Sequence, residues 1–296
     1  MGIWVDTDMG GDDLFAILLA ERERKVDGIS LSFGNAPLAQ VRANAAGAAT
    51  AFGWRVPVFA GAGASILGEV TTAQYALGST GIPTRGLTLP TADADHPDAL
   101  PALADWLAGE SEAEILALGP LTNLAILALA RPDLLDRIGR ITWMGGAIGR
   151  GNHTASAEFN AAADPEAIAI LLARNVPFAM VDLDACRRVE IVEADVTATD
   201  GSPLLRDLLG GYLDIALSRG RPAMALYDPV AAALLVAPEL FTLAPAEITV
   251  ELAGALTRGR TIVDQRVPER ANAFIVQDLD AAAIKALCLS ALEGHS

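Results

Sequence analysis

Val5-Asp6-Thr7-Asp8-Met9-Gly10-Gly11-Asp12-Asp13-Leu14 holds four carboxylates within eight residues. The uncharged Ile3-Trp4-Val5 precedes them, and Leu14-Phe15-Ala16-Ile17-Leu18-Leu19-Ala20 follows. That order reads as a buried strand turning into a buried helix. Helix capping by Asp12 or Asp13 explains one or two of the acids. Four at one strand end repel one another strongly unless a cation compensates. Oxygen donors with no His or Cys nearby suit a hard ion, Ca²⁺ or Mg²⁺. Gly10 and Gly11 are expected to make the sharp turn that aims Asp8 and Asp13 at one point.

Outward from this segment, short β-branched runs alternate with longer Ala/Leu-rich stretches. Strands are expected over 3–8, 28–33, 56–59, 114–118, 140–144, 176–182 and 246–251. Helical periodicity marks 12–24, 38–51, 100–108, 121–130, 165–173, 204–218, 229–236 and 281–292. Such alternation implies an α/β fold: an open, mostly parallel sheet with helices on both faces and a Rossmann-like core. Residues 62–96 and 190–203, rich in Gly, Thr, Asp and Pro, fit no element and read as functional loops. With no internal repeat or low-complexity linker, 1–296 reads as a single domain. Ligands of such sheets collect at the carboxyl ends of strands, which directs attention beyond Asp8, Phe33, Leu118, Met144 and Asp182.

Composition narrows the function. Asp+Glu number 37 against 21 Lys+Arg, a net charge of −16, so the basic footprint of a nucleic-acid binder is missing. A 52% hydrophobic chain can build a large core, which argues against disorder. No apolar run reaches the ~18 residues of a membrane span. The N-terminal residues carry neither a basic leader nor an acylation signal, and Cys186 and Cys288 are too few for a disulfide scaffold. A soluble, cytoplasmic protein is expected.

Several motifs together resemble the inosine–uridine-preferring nucleoside hydrolases. Asp6-Thr7-Asp8-Met9-Gly10-Gly11-Asp12-Asp13 is similar to that family's D-x-D-x-G-x-D-D signature, with Met9 where its proline usually stands. Phe33-Gly34-Asn35, Leu118-Gly119-Pro120-Leu121-Thr122-Asn123, Met144-Gly145-Gly146, Gly151-Asn152, Ala157-Glu158-Phe159-Asn160, Asp164-Pro165-Glu166-Ala167 and Tyr227-Asp228-Pro229 continue the likeness across essentially the whole chain.

The resemblance implies a Ca²⁺ cofactor bound by Asp8, Asp13, Asp228 and the main-chain carbonyl of Leu118. It implies that Asp12 and Asn160 address the ribose 2′/3′ edge and that Asn152 and Glu158 hold the 5′-hydroxyl. Met144 and Phe159 would line the sugar pocket, with Asn35 close to sugar and metal. The implied reaction is hydrolysis of the N-glycosidic bond of ribonucleosides to ribose and free base. Ca²⁺ would lower the pKa of a water that Asp8, as general base, deprotonates. A homodimer or homotetramer is implied as well.

Other readings of these residues are plainer. Asp164-Pro165 and Asp228-Pro229 are also helix-start pairs; Asp164 is read as structural, Asp228 as both cap and ligand. Asn123 is read as a turn or cap residue.

The sequence departs from the family in its histidines. Many members place His before the last metal-binding Asp and assign leaving-group protonation to it; here that residue is Tyr227. A second pocket His, before Gly-x-x-Gly, is Leu77. Of the three His, His96 lies in an acidic surface segment and His295 in the C-terminal tail. His153 neighbours Asn152, and strand alternation turns it away from the pocket. An aromatic at position 227 suits stacking on a base, which slightly favours purine nucleosides, with Tyr75 the nearest second aromatic. Two alternatives compete. A catalytically impaired nucleoside- or sugar-binding protein is kept open by the missing His. A haloacid-dehalogenase-type phosphatase also starts with D-x-D, but needs a cation near the phosphoryl group; Lys25 and Lys285 are the only lysines.

Overall fold

The computed structural model describes residues 2–293, so His295 lies outside the described residues. Its strands are β1 Ile3–Thr7, β2 Val26–Leu31, β3 Val58–Ala60, β4 Ala113–Ala117, β5 Ile138–Met144, β6 Phe178–Val181, β7 Glu190–Ile191, β8 Met224–Ala225, β9 Phe241–Val250, β10 Thr261–Asp264 and β11 Ala273–Leu279. Nine of them form one sheet in the order β10-β9-β11-β6-β5-β4-β1-β2-β3. From β3 to β6, and on to β11, every pairing is parallel; β9 and β10 close that edge antiparallel. The fold is the expected α/β architecture.

Side-chain alternation along β1 builds two cores. Ile3 and Val5 face one side, with the helices Gly11–Glu23, Pro203–Leu217 and Asp228–Val236. Trp4 faces the other, with the helices Ala99–Gly109, Thr122–Ala130 and Pro165–Ala173. The Trp4 indole stacks on Phe59 at 5.5 Å and donates to Ser30 Oγ at 2.9 Å. Gly28 on the neighbouring strand leaves room for that ring, since a Cβ there would collide with it.

Each of the eight expected helices is present. Strands β7, β8, β10 and β11 were not expected, and β9 begins five residues before its expected start at 246. Pro245 interrupts the β9 pattern; it is tolerated because β10 pairs only with 247–250, leaving that edge open at 245. The 62–96 loop contains one short helix, Gln74–Leu77, and 190–203 contains β7 and the helix Glu193–Ala198. Strand order reverses between β1 and β4, so a crevice opens at their carboxyl ends.

Candidate active site

That crevice is a cavity of about 530 Å³. Asp8 and Asp12 reach it from the turn after β1, Leu118 and Met144 from the ends of β4 and β5, and Asp228 from the start of its helix. Asn35, Asn152, Glu158, Phe159, Asn160 and Tyr227 also line it. Asp13 lies directly behind, fully buried. Thus the candidate metal, catalytic and substrate residues read from the sequence gather at one place.

The turn itself differs from expectation. Met9, not a glycine, takes the left-handed conformation, at φ 43, while Gly10 sits at φ −87. A buried non-Gly residue there costs about 1–3 kcal/mol of strain, sustained only by the surrounding contacts. Gly10 is needed for close approach instead: a Cβ would collide with the Asn35 side chain.

Asp13 organises the floor. Its Oδ2 accepts from Gly10 N at 2.8 Å and from Asn35 Nδ2 at 3.0 Å, and Thr7 Oγ1 donates to its Oδ1. Asn35 also donates to both oxygens of Asp8, through its backbone N at 2.6 Å and Nδ2 at 3.0 Å. Packing of the helices Gly11–Glu23 and Asp228–Val236 against each other brings Asp228 to the same point. Carboxylate oxygens of Asp12, Asp13 and Asp228 all lie within 4.8 Å of one another. This triad contains Asp12 where the expected ligand set has Asp8, which adjoins the triad through Asp13. Asp228 is the first residue of its helix rather than its cap. The capping reading fails because its carboxylate turns to the other aspartates, leaving its own first turn without a side-chain cap.

Burial, then repulsion from Asp13, holds Asp8 well above the usual carboxylate range; burial, then Asp12 and Asp13, does the same to Asp228. Asp12 is pushed to about 7 by burial and by Asp13. Among the described residues no Lys or Arg forms an ion pair with any of the four. A cluster of buried and half-buried carboxylates without basic partners fits a metal cation, and its all-oxygen donor set fits a hard one.

The sugar-facing residues are held by one another. Glu158 caps the helix Phe159–Ala163, accepting from Asn160 N at 2.9 Å, Ala161 N at 3.0 Å and Gly146 N at 2.9 Å. Burial nevertheless raises its pKa to about 7. Asn152 Oδ1 accepts from Phe159 N at 2.9 Å, and Asn160 Nδ2 donates to the carbonyls of Leu118 and Met144.

Two residues read as structural are so. Asp164 caps its helix through Ala167 N and holds Thr122 Oγ1 at 2.6 Å. Asn123 is more than a turn residue: it bridges Asp6, the Leu31 carbonyl and Ala62 N. His153 lines the cavity, contrary to the alternation argument. Residues 150–157 bend back on themselves, with 152, 153 and 154 all donating to the Ala157 carbonyl, so strand alternation does not apply there. The His153 ring sits edge-on to Phe159 at 5.5 Å and approaches the Tyr75 hydroxyl at 3.3 Å. Leu77 and Tyr75 bring the 62–96 loop to the same cavity. Sequence reasoning missed Tyr212, whose single hydroxyl proton is shared between Asp12 Oδ2 at 3.1 Å and the Ala225 carbonyl at 2.8 Å. It also missed Arg150, Arg187, Arg219 and Arg221 at the rim. The helical period around Tyr212 marks it only as a core residue, and no local pattern marks the arginines.

Known proteins bear on this site. The family model for inosine-uridine preferring nucleoside hydrolases matches residues 3–286. The pyrimidine-specific ribonucleoside hydrolase RihA of Shigella flexneri serotype 5b is 33% identical over 291 residues, 94% of either chain. RihA of Citrobacter koseri is 33% identical over 288 residues, 93% of this chain and 92% of its own. Among solved structures, a purine-preferring ribonucleoside hydrolase from Gardnerella vaginalis superposes with a TM-score of 0.90 at 25% identity, covering 100% of this chain and 99% of that one. With the aspartate-floored cavity at the β1/β4 crevice, these matches leave no place for the phosphatase reading: the chain belongs to the inosine-uridine preferring nucleoside hydrolase family and is a nucleoside hydrolase.

Proposed function

We propose that this protein hydrolyses the N-glycosidic bond of ribonucleosides with a Ca²⁺ ion held by Asp8, Asp13, Asp228 and the Leu118 carbonyl. The observation that carries the proposal is the meeting of Asp8, Asp12 and Asp228 around buried Asp13, without basic partners, at a cavity of about 530 Å³. When bound, a divalent cation lowers the pKa of the attacking water and orients the sugar diol. Asp8, fixed at both oxygens by Asn35, takes the water's proton as general base. Asp12, steadied by Tyr212, accepts a hydrogen bond from the ribose 2′-hydroxyl, and the free acceptor of Asn160 meets the same edge. Asn152 and Glu158 hold the 5′-hydroxyl, and Phe159 and Met144 pack on the sugar. Binding energy so gathered, remote from C1′, favours the oxocarbenium-like geometry of the transition state.

For the base, Tyr227 offers a ring beside the leaving group, with Tyr75 and His153 at the mouth, an arrangement suited to purines. The 33% identity to pyrimidine-specific RihA supports the opposite preference. Release of reducing sugar from inosine, adenosine, guanosine, uridine and cytidine, with and without chelator, tests both. Activity unaffected by removal of Ca²⁺ defeats the metal assignment, and kcat/KM values across the five bases rank the two specificities.

A further inference from the structure

The cavity is electrically bipolar. Buried Asp8 and Asp228 and half-buried Asp12 line it, and so do exposed Arg150, Arg219 and Arg221 and half-buried Arg187, so the acids lie deep and the arginines near solvent. Those are four of only 21 basic side chains in a chain of net charge −16, so their gathering at one opening marks a local demand for positive charge.

Two of the four are tied to Tyr227, the residue assigned to the base. Arg187 is fixed: Nη1 donates to the Arg150 carbonyl at 2.9 Å and to Asp184 at 3.1 Å, and Nη2 to the Gly151 carbonyl at 3.2 Å. Arg221 follows Gly220, whose φ of 71 makes the turn after the helix Pro203–Leu217. Its backbone N is tied to the Ala216 carbonyl at 3.0 Å, while among the described residues its guanidinium joins no ion pair. Arg187 follows Cys186, whose thiol donates to the Tyr227 carbonyl at 3.6 Å, and Arg221 begins the segment that reaches Tyr227 through Met224, with Arg187, Arg221 and Met224 all lining the cavity. Both arginines therefore line the cavity together with Tyr227, and both are more exposed than the buried Asp8 and Asp228.

We propose that Arg187 and Arg221 are leaving-group residues, holding the nucleobase as it departs with the electron pair of the C1′–N bond. The proposal rests on ribonucleoside hydrolysis as the reaction. The C1′–N bond breaks and both electrons go to the base nitrogen. The water oxygen bonds to C1′ and passes one proton to Asp8. The base anion, its charge spread over ring nitrogens and exocyclic oxygens, accepts guanidinium hydrogen bonds and takes a proton from solvent at the open mouth. Asp8 returns its own proton to solvent, so the sum is nucleoside plus water giving ribose plus base. Arginine keeps its protons throughout, and acts here by fixed charge and hydrogen bonding. The arrangement matches the charge separation of the transition state: positive charge grows on the sugar above the carboxylates, negative charge on the base beside the arginines. This assigns leaving-group activation without a His before Asp228.

The test is kcat and KM for wild type, Arg221→Gln and Arg187→Gln on inosine, uridine and p-nitrophenyl riboside. Loss of a preorganised donor should lower kcat on the two nucleosides by roughly 10²-fold, and on p-nitrophenyl riboside, whose anion is already stable, by less than about threefold. Guanidinium ion added to Arg221→Ala should restore part of the turnover on inosine. Equal losses on all three substrates, a defect confined to KM, or an unchanged Arg221→Gln overturns the proposal. Arg187 also holds the 150–151 loop, so the exposed Arg221 carries the decision if Arg187→Gln does not fold. Wild type inert on all three substrates would defeat the hydrolytic reading itself; active wild type with an indifferent Arg221→Gln defeats only the arginine assignment.

Discussion

Asn160 donates its side-chain amide to the Leu118 carbonyl at 2.8 Å, and to that of Met144 at 3.1 Å. One side chain on the helix Phe159–Ala163 therefore fixes the carbonyl ends of two adjacent strands, β4 and β5. If the Leu118 carbonyl is a metal ligand, Asn160 orients it from behind. Asn160→Ala should then weaken Ca²⁺ binding by about 10–100-fold, the usual effect of losing a residue that orients a ligand. Calorimetric titration of the chelated protein with Ca²⁺ measures this; an unchanged affinity means that the strand alone sets the carbonyl.

Asp12 lies close to both Asp13 and Asp228, whereas Asp8 meets Asp13 without joining that triad, which separates two ligand assignments. With Asp8 as ligand and Asp12 as ribose contact, dialysed Asp8→Asn and Asp13→Ala should lose Ca²⁺ in metal analysis. Asp12→Asn should retain it, yet lose most of the preference for inosine over 2′-deoxyinosine in kcat/KM, because the 2′-hydroxyl contact strengthens in the transition state. Metal lost from Asp12→Asn and kept by Asp8→Asn would exchange the two roles.

Stability of the chelated protein should fall as pH rises. Asp8 and Asp228 stand well above the usual carboxylate range, and Asp12 and Glu158 near 7, chiefly through burial. These groups bind more protons folded than unfolded, so ∂ΔG/∂pH is negative from the unfolded carboxylate range up to about pH 7. A cation favours the ionised aspartates and reverses the trend. Thermal unfolding between about pH 5 and about pH 8 should therefore give a declining Tm with chelator and a Ca²⁺ stabilisation that grows with pH. A chelated Tm that rises across this window would contradict the burial argument.

The parallel half of the sheet was legible because each strand is a short apolar run followed by a long helical period, as in Ile3–Thr7 before Gly11–Glu23. The antiparallel edge was not. β11 carries Gln277 and Asp278 just before its last residue, and Pro245 breaks the apolar pattern of β9, so pairing rather than local pattern makes these strands. The floor was legible because like charges crowded within one turn demand an explanation wherever the chain goes. The rim was not, since Arg150, Arg187 and Arg221 come from separate segments and meet only through tertiary packing. His153 failed for the opposite reason: a strand rule was applied to a bend.

Tyr227 provides the sharpest division between stacking and proton donation. Its phenol is raised above an ordinary value that is already near 10, so it holds its proton too tightly for a well-matched acid at neutral pH. Its ring, on the cavity wall beside Asp228, remains available to a flat base. Tyr227→Phe should keep most of the activity on inosine, whereas Tyr227→Ala should lose considerably more. The same variants on p-nitrophenyl riboside, whose leaving group departs without a proton, complete the comparison. A Phe variant that fails on inosine yet cleaves p-nitrophenyl riboside normally would make the hydroxyl the proton donor and remove the ring from its assigned role.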